Sequence, residues 1–193
     1  MSERIRVVVL FGGRSAEHEI SCISARSVMD ALDPERFDVI PVGITREGHW
    51  HRMAGPPALP AETGRMPEVT EGSGMTVELA TEQAGREIVG ADGSRAPIDV
   101  VLPVLHGPMG EDGAVQGMLE LADTPYVGAG VLGSAVGMDK AVQKVLFAAA
   151  GLPVVPYVTV REPEWLEDAE GVAARVAALG YPVFTKPATL GSS

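Results

Sequence analysis

The sequence predicts an α/β fold with a parallel sheet, and two apolar segments are the basis of this prediction. Residues 7–11 (VVVLF) and 98–105 (IDVVLPVL) have the length of strands and are almost entirely apolar, which is typical of strands buried on both faces. Each is followed directly by a glycine-rich turn and then by a segment in which apolar residues recur at helical spacing. Repeated units of strand, turn and helix build parallel sheets.

The first unit, residues 7–21 (VVVLFGGRSAEHEIS), is the segment around which the chain is organised. Gly12 and Gly13 permit a tight turn, and Ser15 can cap the helix that follows. The turn matches neither the GxGxxG nor the P-loop pattern. Glu17 falls in the first helical turn, beside the crevice where ligands of α/β proteins gather, although a carboxylate there can also simply complement the helix dipole. The predicted buried stripe of the helix comprises Ile20, Ile23, Ser27 and Val28.

Composition and charge narrow the class of protein. With 15 Lys+Arg against 26 Asp+Glu, the chain has a formal net charge of −11 and no basic run, which argues against nucleic acid or an anionic membrane surface as a partner. No apolar run approaches the roughly 18 residues of a membrane span, and the N-terminus lacks the pattern of a signal peptide. Cys22 is the only cysteine, so no internal disulfide can form, which fits a cytoplasmic protein.

Weaker elements are predicted between the two apolar units. Pro41 lies within a strand over residues 37–44 and suggests that this strand is at an edge or ends there. His49 and His51 are interpreted as ordinary strand residues rather than metal ligands, because no third ligand is near. The other predictions are a short strand over residues 50–53, a surface excursion over 54–75, weak strands over 75–80 and 86–89, and a turn over 91–94.

The second unit consists of a central strand over residues 98–105, a glycine-rich loop over 106–113 and a helix over 114–122. Asp112 is a suitable cap for this helix, since a carboxylate can accept free backbone N–H groups of the first turn. A short strand is predicted at residues 126–128.

The C-terminal part begins with an amphipathic helix over residues 139–150, on which Lys140 and Lys144 are one turn apart. Further predicted elements are a strand over 157–160, a helix over 168–179 and a strand over 182–186. Because a stable sheet usually needs three or more strands, these elements make a poor independent core. We therefore place a domain boundary between residues 138 and 156 and expect the opening of a second domain, most of which is absent.

Four segments carry residue types suited to chemistry: FGGRSAEHEIS (11–21), LHGPMGEDG (105–113), GSAVGMDK (133–140) and FTKPATLGSS (184–193). In this order and at these separations they resemble the D-alanine–D-alanine ligases, which are ATP-grasp enzymes of bacterial cell-wall (peptidoglycan) synthesis. The resemblance covers the whole chain. It implies that residues 1–138 form a Rossmann-like, parallel-sheet pre-ATP-grasp domain and that residues 139–193 are the truncated start of an ATP-grasp domain.

The resemblance also implies roles for five residues. Glu17 matches the family's glutamate that holds the ammonium group of the first D-alanine, and His106 matches a histidine close to the substrate. Lys140 and Lys186 match lysines that contact the ATP phosphates. Ser192 matches the serine that hydrogen-bonds into the Glu17 network. Glu17 and Ser192 are therefore the candidate catalytic residues.

These residue types suit the implied chemistry. A carboxylate binds an ammonium group through charge-assisted hydrogen bonds, and lysines neutralise the negative charge that develops during phosphoryl transfer. Considered without the resemblance, His106 can equally be a satisfied strand-end histidine, Lys140 a solvated helix residue and Ser192 part of a disordered tail.

The implied reaction has two steps: ATP phosphorylates the carboxylate of one D-alanine, and the amine of a second D-alanine attacks the acyl phosphate and expels phosphate. Magnesium bridges the ATP phosphates, and the family's magnesium ligands lie beyond residue 193. We therefore expect the chain by itself to be catalytically inactive. We also expect a homodimer, because the family's N-terminal domain contributes to one.

Three alternatives remain open from the sequence. The first is a ligase that takes D-lactate or D-serine as second substrate, because the loop that discriminates between second substrates is missing. The second is a nucleotide-binding dehydrogenase module, against which the absent GxGxxG pattern argues. The third is a non-catalytic dimerisation module.

Overall fold

A computed structural model describes residues 4–80 and 86–191. These residues form one seven-stranded sheet with helices packed around it. In chain order the elements are β1 (Ile5–Gly12), α1 (His18–Ala31), β2 (Phe37–Ile44), β3 (Trp50–Arg52), α2 (Pro60–Thr63), β4 (Met75–Leu79), β5 (Glu87–Gly90), β6 (Arg95–Pro97), β7 (Val100–Pro103), α3 (Ala114–Leu121), α4 (Val131–Met138), α5 (Lys140–Ala149), α6 (Glu162–Glu167) and α7 (Ala169–Ala177). The strand order is β6-β5-β4-β3-β2-β1-β7.

Parallel pairing is confined to one end of the sheet. β1 pairs in parallel with β2 along its whole length and with β7 over four residues. The strands from β3 to β6 extend the sheet by antiparallel pairing. The predicted α/β class is confirmed, but the sheet is mixed rather than parallel throughout. β6 pairs with β5 across the predicted turn at 91–94 and is too short to be predicted from its own residues.

β1 is buried on both faces, as its continuous apolar run predicts. Val8 and Leu10 point to the same side as Leu119 of α3 and form one core cluster with it. Val9 and the other alternate residues join a second cluster with Ala25 of α1. The helices on the two sides therefore hold β1, and with it the turn after Gly12, in a fixed position.

α1 begins later and packs differently from the prediction. The helix starts at His18, and the Ser15 hydroxyl accepts the backbone N–H of Glu17 at 3.1 Å, so Ser15 braces the turn instead of capping the helix. Ile20 is 48% exposed, so the predicted stripe is wrong. The buried face consists of His18, Ser21, Cys22 and Ala25. Two of these are polar residues whose side chains bond to buried backbone groups, so apolar spacing does not reveal this face.

Two strands differ in position from the prediction. Pro41 belongs to an interior strand, β2, and lies where pairing with β3 ends, so the edge position predicted for this strand is wrong. β7 is the last strand in the order rather than a central one. The predicted strand at 126–128 is reduced to a single parallel bridge between Val101 and Tyr126, which partly covers the outer edge of β7.

The excursion over residues 54–75 contains α2 and is anchored by one buried residue. Val69 is 2% exposed and lies against two glycines of the parallel strands. A Cβ atom on Gly43 would be 2.7 Å from Val69 Cγ2, and one on Gly12 would be 3.2 Å from the same atom. The Val69 N–H also donates to His18 Nε2 at 2.9 Å. This part of the excursion is therefore tied to the β1–α1 turn.

In the described region, the regular elements of the C-terminal part are the helices α5, α6 and α7, joined by irregular segments. α5 agrees with the prediction, and its cap is Asp139, whose carboxylate accepts two N–H groups of the first turn. α4 and α6 were not predicted. Residues 157–160 and 182–186 do not form strands, and Phe184 is 89% exposed, because no described strand lies beside either segment. The domain boundary stays a prediction.

Candidate functional site

The Glu17 carboxylate lies in a narrow space at the C-terminal end of β1. A Cβ atom on either Gly107 or Gly191 would be 2.7 Å from Glu17 Oε2. The turn after β1, the loop over residues 106–113 and the segment that ends at Gly191 thus approach each other closely because two of the contacting residues have no side chain. Within residues 4–80 and 86–191, the Glu17 carboxylate makes no hydrogen bond or ion pair. It is a half-buried anion with capacity to bind a donor group.

The neighbouring carboxylate, that of Glu19, is used differently. Arg46 forms an ion pair with Glu19, donates to the Ser15 carbonyl at 3.2 Å and reaches Glu68 at 3.2 Å. Backbone N–H donation and then the Arg46 guanidinium hold the pKa of Glu19 below its usual range. Arg46 therefore fixes the β1–α1 turn through Glu19, while Glu17 on the same turn stays unneutralised.

The loop over residues 106–113 is braced by its own acidic residues. The Gly107 N–H donates to Glu111 Oε2 at 2.5 Å. Asp112 accepts the N–H of Met109 at 2.8 Å and that of Ala114 at 3.0 Å. The N-cap of α3 is Gly113, with φ of 95°, so Asp112 supports the helix start from one residue further back than predicted. These bonds hold Gly107 in position next to Glu17.

Lys140 joins the start of α5 to the C-terminal loop. The backbone N–H of Lys140 donates to the Ala188 carbonyl at 3.0 Å. Its side-chain ammonium group donates to the Leu190 carbonyl and, at 3.0 Å, to the Gly191 carbonyl. This places Gly191 close to Glu17. Lys186 lies in the exposed segment that leads to this loop. Ser192, the fifth predicted residue, lies outside the described residues.

Two cavities adjoin the loop after β7. The larger, of ≈ 550 Å³, is lined by Lys140, Glu111 and Gly191 among others. The second, of ≈ 420 Å³, has a more apolar lining that includes His106 and Trp50. Both volumes are in the range of small-molecule sites. Neither cavity includes Glu17 among its lining residues.

Several residues that shape this site were not predicted. They are Arg46, Glu111, Ser24 and Gln116, whose Nε2 donates to the Gly110 carbonyl at 3.0 Å. Each acts on a backbone group or on another side chain that only the fold brings near. The sequence signal that could have pointed to one of them is a polar residue among the apolar residues of a helix face, as for Gln116 on α3.

Metal and membrane features can be stated for the described part of the chain. No three His, Cys, Asp or Glu side chains within residues 4–80 and 86–191 lie close enough to hold a metal ion together. In the same residues, no helix combines the length and apolar character needed to cross a bilayer.

Comparison with known proteins assigns the family. The family model described as D-ala D-ala ligase N-terminus matches residues 6–129, and the model described as D-ala D-ala ligase C-terminus matches residues 146–193. The chain belongs to the D-alanine–D-alanine ligase family. This assignment favours the ligase interpretation over the dehydrogenase alternative.

Relatives and solved structures agree with the family assignment. The D-alanine–D-alanine ligase of Mycolicibacterium vanbaalenii is 52% identical and matches 100% of this chain and 53% of its own length. That of Paenarthrobacter aurescens is 50% identical, over 98% of this chain and 52% of its own. The chain therefore spans about half the length of these curated relatives.

Among solved structures, the D-alanine–D-alanine ligase from Coxiella burnetii superposes with a TM-score of 0.81 at 35% identity, covering 98% of this chain and 54% of that structure. VanG D-Ala:D-Ser ligase from Enterococcus faecalis gives a TM-score of 0.79 at 33% identity, with the same coverage. The fold of a D-alanine–D-alanine ligase is thus shared along nearly the whole chain.

Proposed function

We propose that the chain forms the first-substrate site and part of the nucleotide site of an ATP-dependent D-alanine–D-alanine ligase, which makes the D-Ala–D-Ala dipeptide for peptidoglycan. The observation that carries the proposal is the unpaired Glu17 carboxylate enclosed by Gly107 and Gly191. A half-buried carboxylate with open acceptor positions suits the ammonium group of a small amino acid. A Cβ atom at either glycine would lie 2.7 Å from Glu17 Oε2, so a side chain at position 107 or 191 would obstruct the carboxylate.

The other site residues have roles consistent with this proposal. His106 follows β7, and its backbone carbonyl accepts the Ser15 hydroxyl of the same turn; we assign it to the substrate carboxylate, while Glu17 holds the ammonium group. Lys140 and Lys186 bind ATP phosphates. The Lys140 ammonium now donates to carbonyl oxygens, and exchange for phosphate oxygens replaces neutral acceptors with charged ones, which bind more strongly. Ser192, which lies outside the described residues, is proposed to hydrogen-bond to Glu17 beside the first D-alanine.

In this mechanism the residues of the chain contribute orientation and charge neutralisation. Glu17 and His106 hold the first D-alanine at both ends, so that its carboxylate faces the γ-phosphoryl group of ATP. The lysines offset the charge of the phosphates, which is the main task of a protein in phosphoryl transfer. Magnesium, which the family implies, requires carboxylates that the described residues do not bring together, so we assign no step to it.

We also propose that the protein is a cytoplasmic homodimer. The cytoplasmic location is supported by the single cysteine and by the use of ATP. The dimer is supported by apolar side chains that stand out from α3 and α4, of which Leu121 is 88% exposed. Two-fold dimers are the commonest symmetric assemblies. Light scattering at micromolar concentration would show twice the chain mass, and a monomer would refute this proposal.

The function can be tested by placing this chain in a complete ligase. The chain replaces the corresponding half of the M. vanbaalenii ligase, and phosphate release is followed with ATP, magnesium and D-alanine. Glu17→Gln keeps the size of the side chain but removes its charge, which should raise the KM for the first D-alanine about 10- to 100-fold and leave the KM for ATP unchanged. Glu35→Gln, at an exposed position, is the matched control.

Two results would contradict the proposal: a folded chimera without turnover, or an unchanged KM for D-alanine in the Glu17 variant. Competition among D-alanine, D-serine and D-lactate as second substrate tests the alternative ligases in the same assay. Preference for D-serine or D-lactate would replace the D-Ala–D-Ala product in our proposal.

A further inference from the structure

Two serines fix the backbone that leads to His106. The Ser21 hydroxyl is fully buried, accepts the Gly12 N–H at 2.8 Å and donates to the Val104 carbonyl at 2.6 Å. The Ser15 hydroxyl donates to the His106 carbonyl at 2.7 Å. The chain after β7 is thus attached at two points to the turn after β1, and the backbone of His106 is held from one side.

A third serine contacts the side chain of His106. Ser24 lies one helical turn after Ser21, and its Oγ is 3.0 Å from His106 Nε2. Serine hydroxyls inside helices often donate to a carbonyl of the preceding turn, as Ser27 does here to Ile23 at 3.3 Å. Within the described residues, the Ser24 hydroxyl has no such bond, and its single proton is available for the imidazole.

We propose that Ser24 is a positioning residue that donates to Nε2 and keeps His106 as the neutral tautomer protonated on Nδ1. In a neutral imidazole one nitrogen donates and the other accepts, so a hydroxyl donor on Nε2 places the proton on Nδ1. Nδ1 makes no hydrogen bond within residues 4–80 and 86–191. Ser24 therefore leaves the Nδ1 donor of His106 without a partner among the described residues.

The chemical class that such a donor recognises is an anion. The N–H of Nδ1 can donate to the carboxylate of the first D-alanine, or to the acyl phosphate formed from it, whereas a bare Nδ1 would repel either group. This role of Nδ1 in binding the anion rests on the proposed function. The tautomer itself depends only on Ser24 and His106, so the two can be tested separately.

The tautomer is measured in the ¹⁵N-labelled chain from the imidazole nitrogen shifts, at a pH at which the ring is neutral. We expect the proton on Nδ1 in the wild type and in Ser24→Thr, which retains the hydroxyl. In Ser24→Ala the proton should move to Nε2, the tautomer that free histidine prefers in water. Ser27→Ala removes a hydroxyl from the same helix and should leave His106 unchanged.

His18 provides an internal reference for folding. Its Nδ1 donates to the Gly13 carbonyl at 2.7 Å and its Nε2 accepts the Val69 N–H, so the folded chain fixes it as the Nδ1 tautomer. A variant in which the His18 signals also change has lost its structure. In that case the tautomer of His106 in the wild-type chain decides whether the proposal holds. A wild-type proton on Nε2 of His106, or an unchanged tautomer in folded Ser24→Ala, would overturn the proposal.

Titration with D-alanine tests the consequence for binding. Ser24→Ala should bind D-alanine about three- to tenfold more weakly than the wild type, and Ser24→Thr and Ser27→Ala should bind it equally well. If no variant binds D-alanine while the tautomer result holds, the proposed function fails and the role of Ser24 stands. If Ser24→Ala binds D-alanine as tightly as the wild type, the role in substrate binding is refuted.

Discussion

Val69→Ala tests whether the excursion is structurally tied to the β1–α1 turn. The valine is 2% exposed, and its Cγ atoms lie over Gly12 and Gly43. Removing two buried methyl groups costs about 0.8 kcal/mol each in transfer free energy, and the cavity left behind adds to this. Because two of the neighbours are glycines without side chains that could fill the space, we expect a loss of about 2–3 kcal/mol in the free energy of unfolding.

The loss is measured by urea unfolding followed by far-ultraviolet circular dichroism. With a slope of about 2 kcal/mol per molar urea, the midpoint should fall by about 1–1.5 M. Val142→Ala is the matched control, because this valine is 44% exposed on α5 and should change stability by less than about 0.5 kcal/mol. If the two variants lose the same small amount, residue 69 does not belong to the core.

Two further predictions concern other parts of the chain. The side-chain and then backbone hydrogen bonds of Arg6 lower the pKa of Asp99 from 3.8 to about 2, so the pair stabilises the fold above about pH 4 and this contribution is lost as the pH falls towards 2. After solvent screening, the contribution of the pair to the free energy of unfolding amounts to about 1 kcal/mol. Asp99→Asn should remove this part of the pH dependence of stability, as measured by urea unfolding between pH 2 and 5. An equally steep pH dependence in the variant would contradict the role of the Arg6–Asp99 pair. Gly191→Ala puts a Cβ atom 2.7 Å from Glu17 Oε2. It should weaken D-alanine binding at least about tenfold and change the urea midpoint little. Unchanged affinity would mean that D-alanine does not bind in the narrow space around Glu17.

The parts of the fold that could be predicted are those in which one physical signal dominates. The run of apolar residues in β1 and the two glycines after it leave few alternatives to a buried strand and a tight turn. The proximity of the segments that carry Glu17 and His106 follows from the same logic, since the C-terminal ends of the adjacent parallel strands β1 and β7 meet at one edge of the sheet, and the roles of both residues stay predictions.

The parts that could not be predicted depend on partners distant in sequence. Ser21 is buried because Gly12 and Val104 both need a polar partner, and no local pattern shows this. Val69 is buried because glycines elsewhere leave it space. The segments at 157–160 and 182–186 have strand-like residues, but a strand forms only where another strand pairs with it.

The enclosure of Glu17 by Gly107 and Gly191 has a consequence for synthesis on the ribosome. Glu17 and Gly191 lie near opposite ends of the chain, and residues emerge at about 5–20 per second. The paired strands β1, β2 and β7 can meet as soon as residue 103 has left the exit tunnel, whereas the wall formed by Gly191 is made much later. In the nascent protein, the sheet can therefore form several seconds before Gly191 completes the narrow space around Glu17.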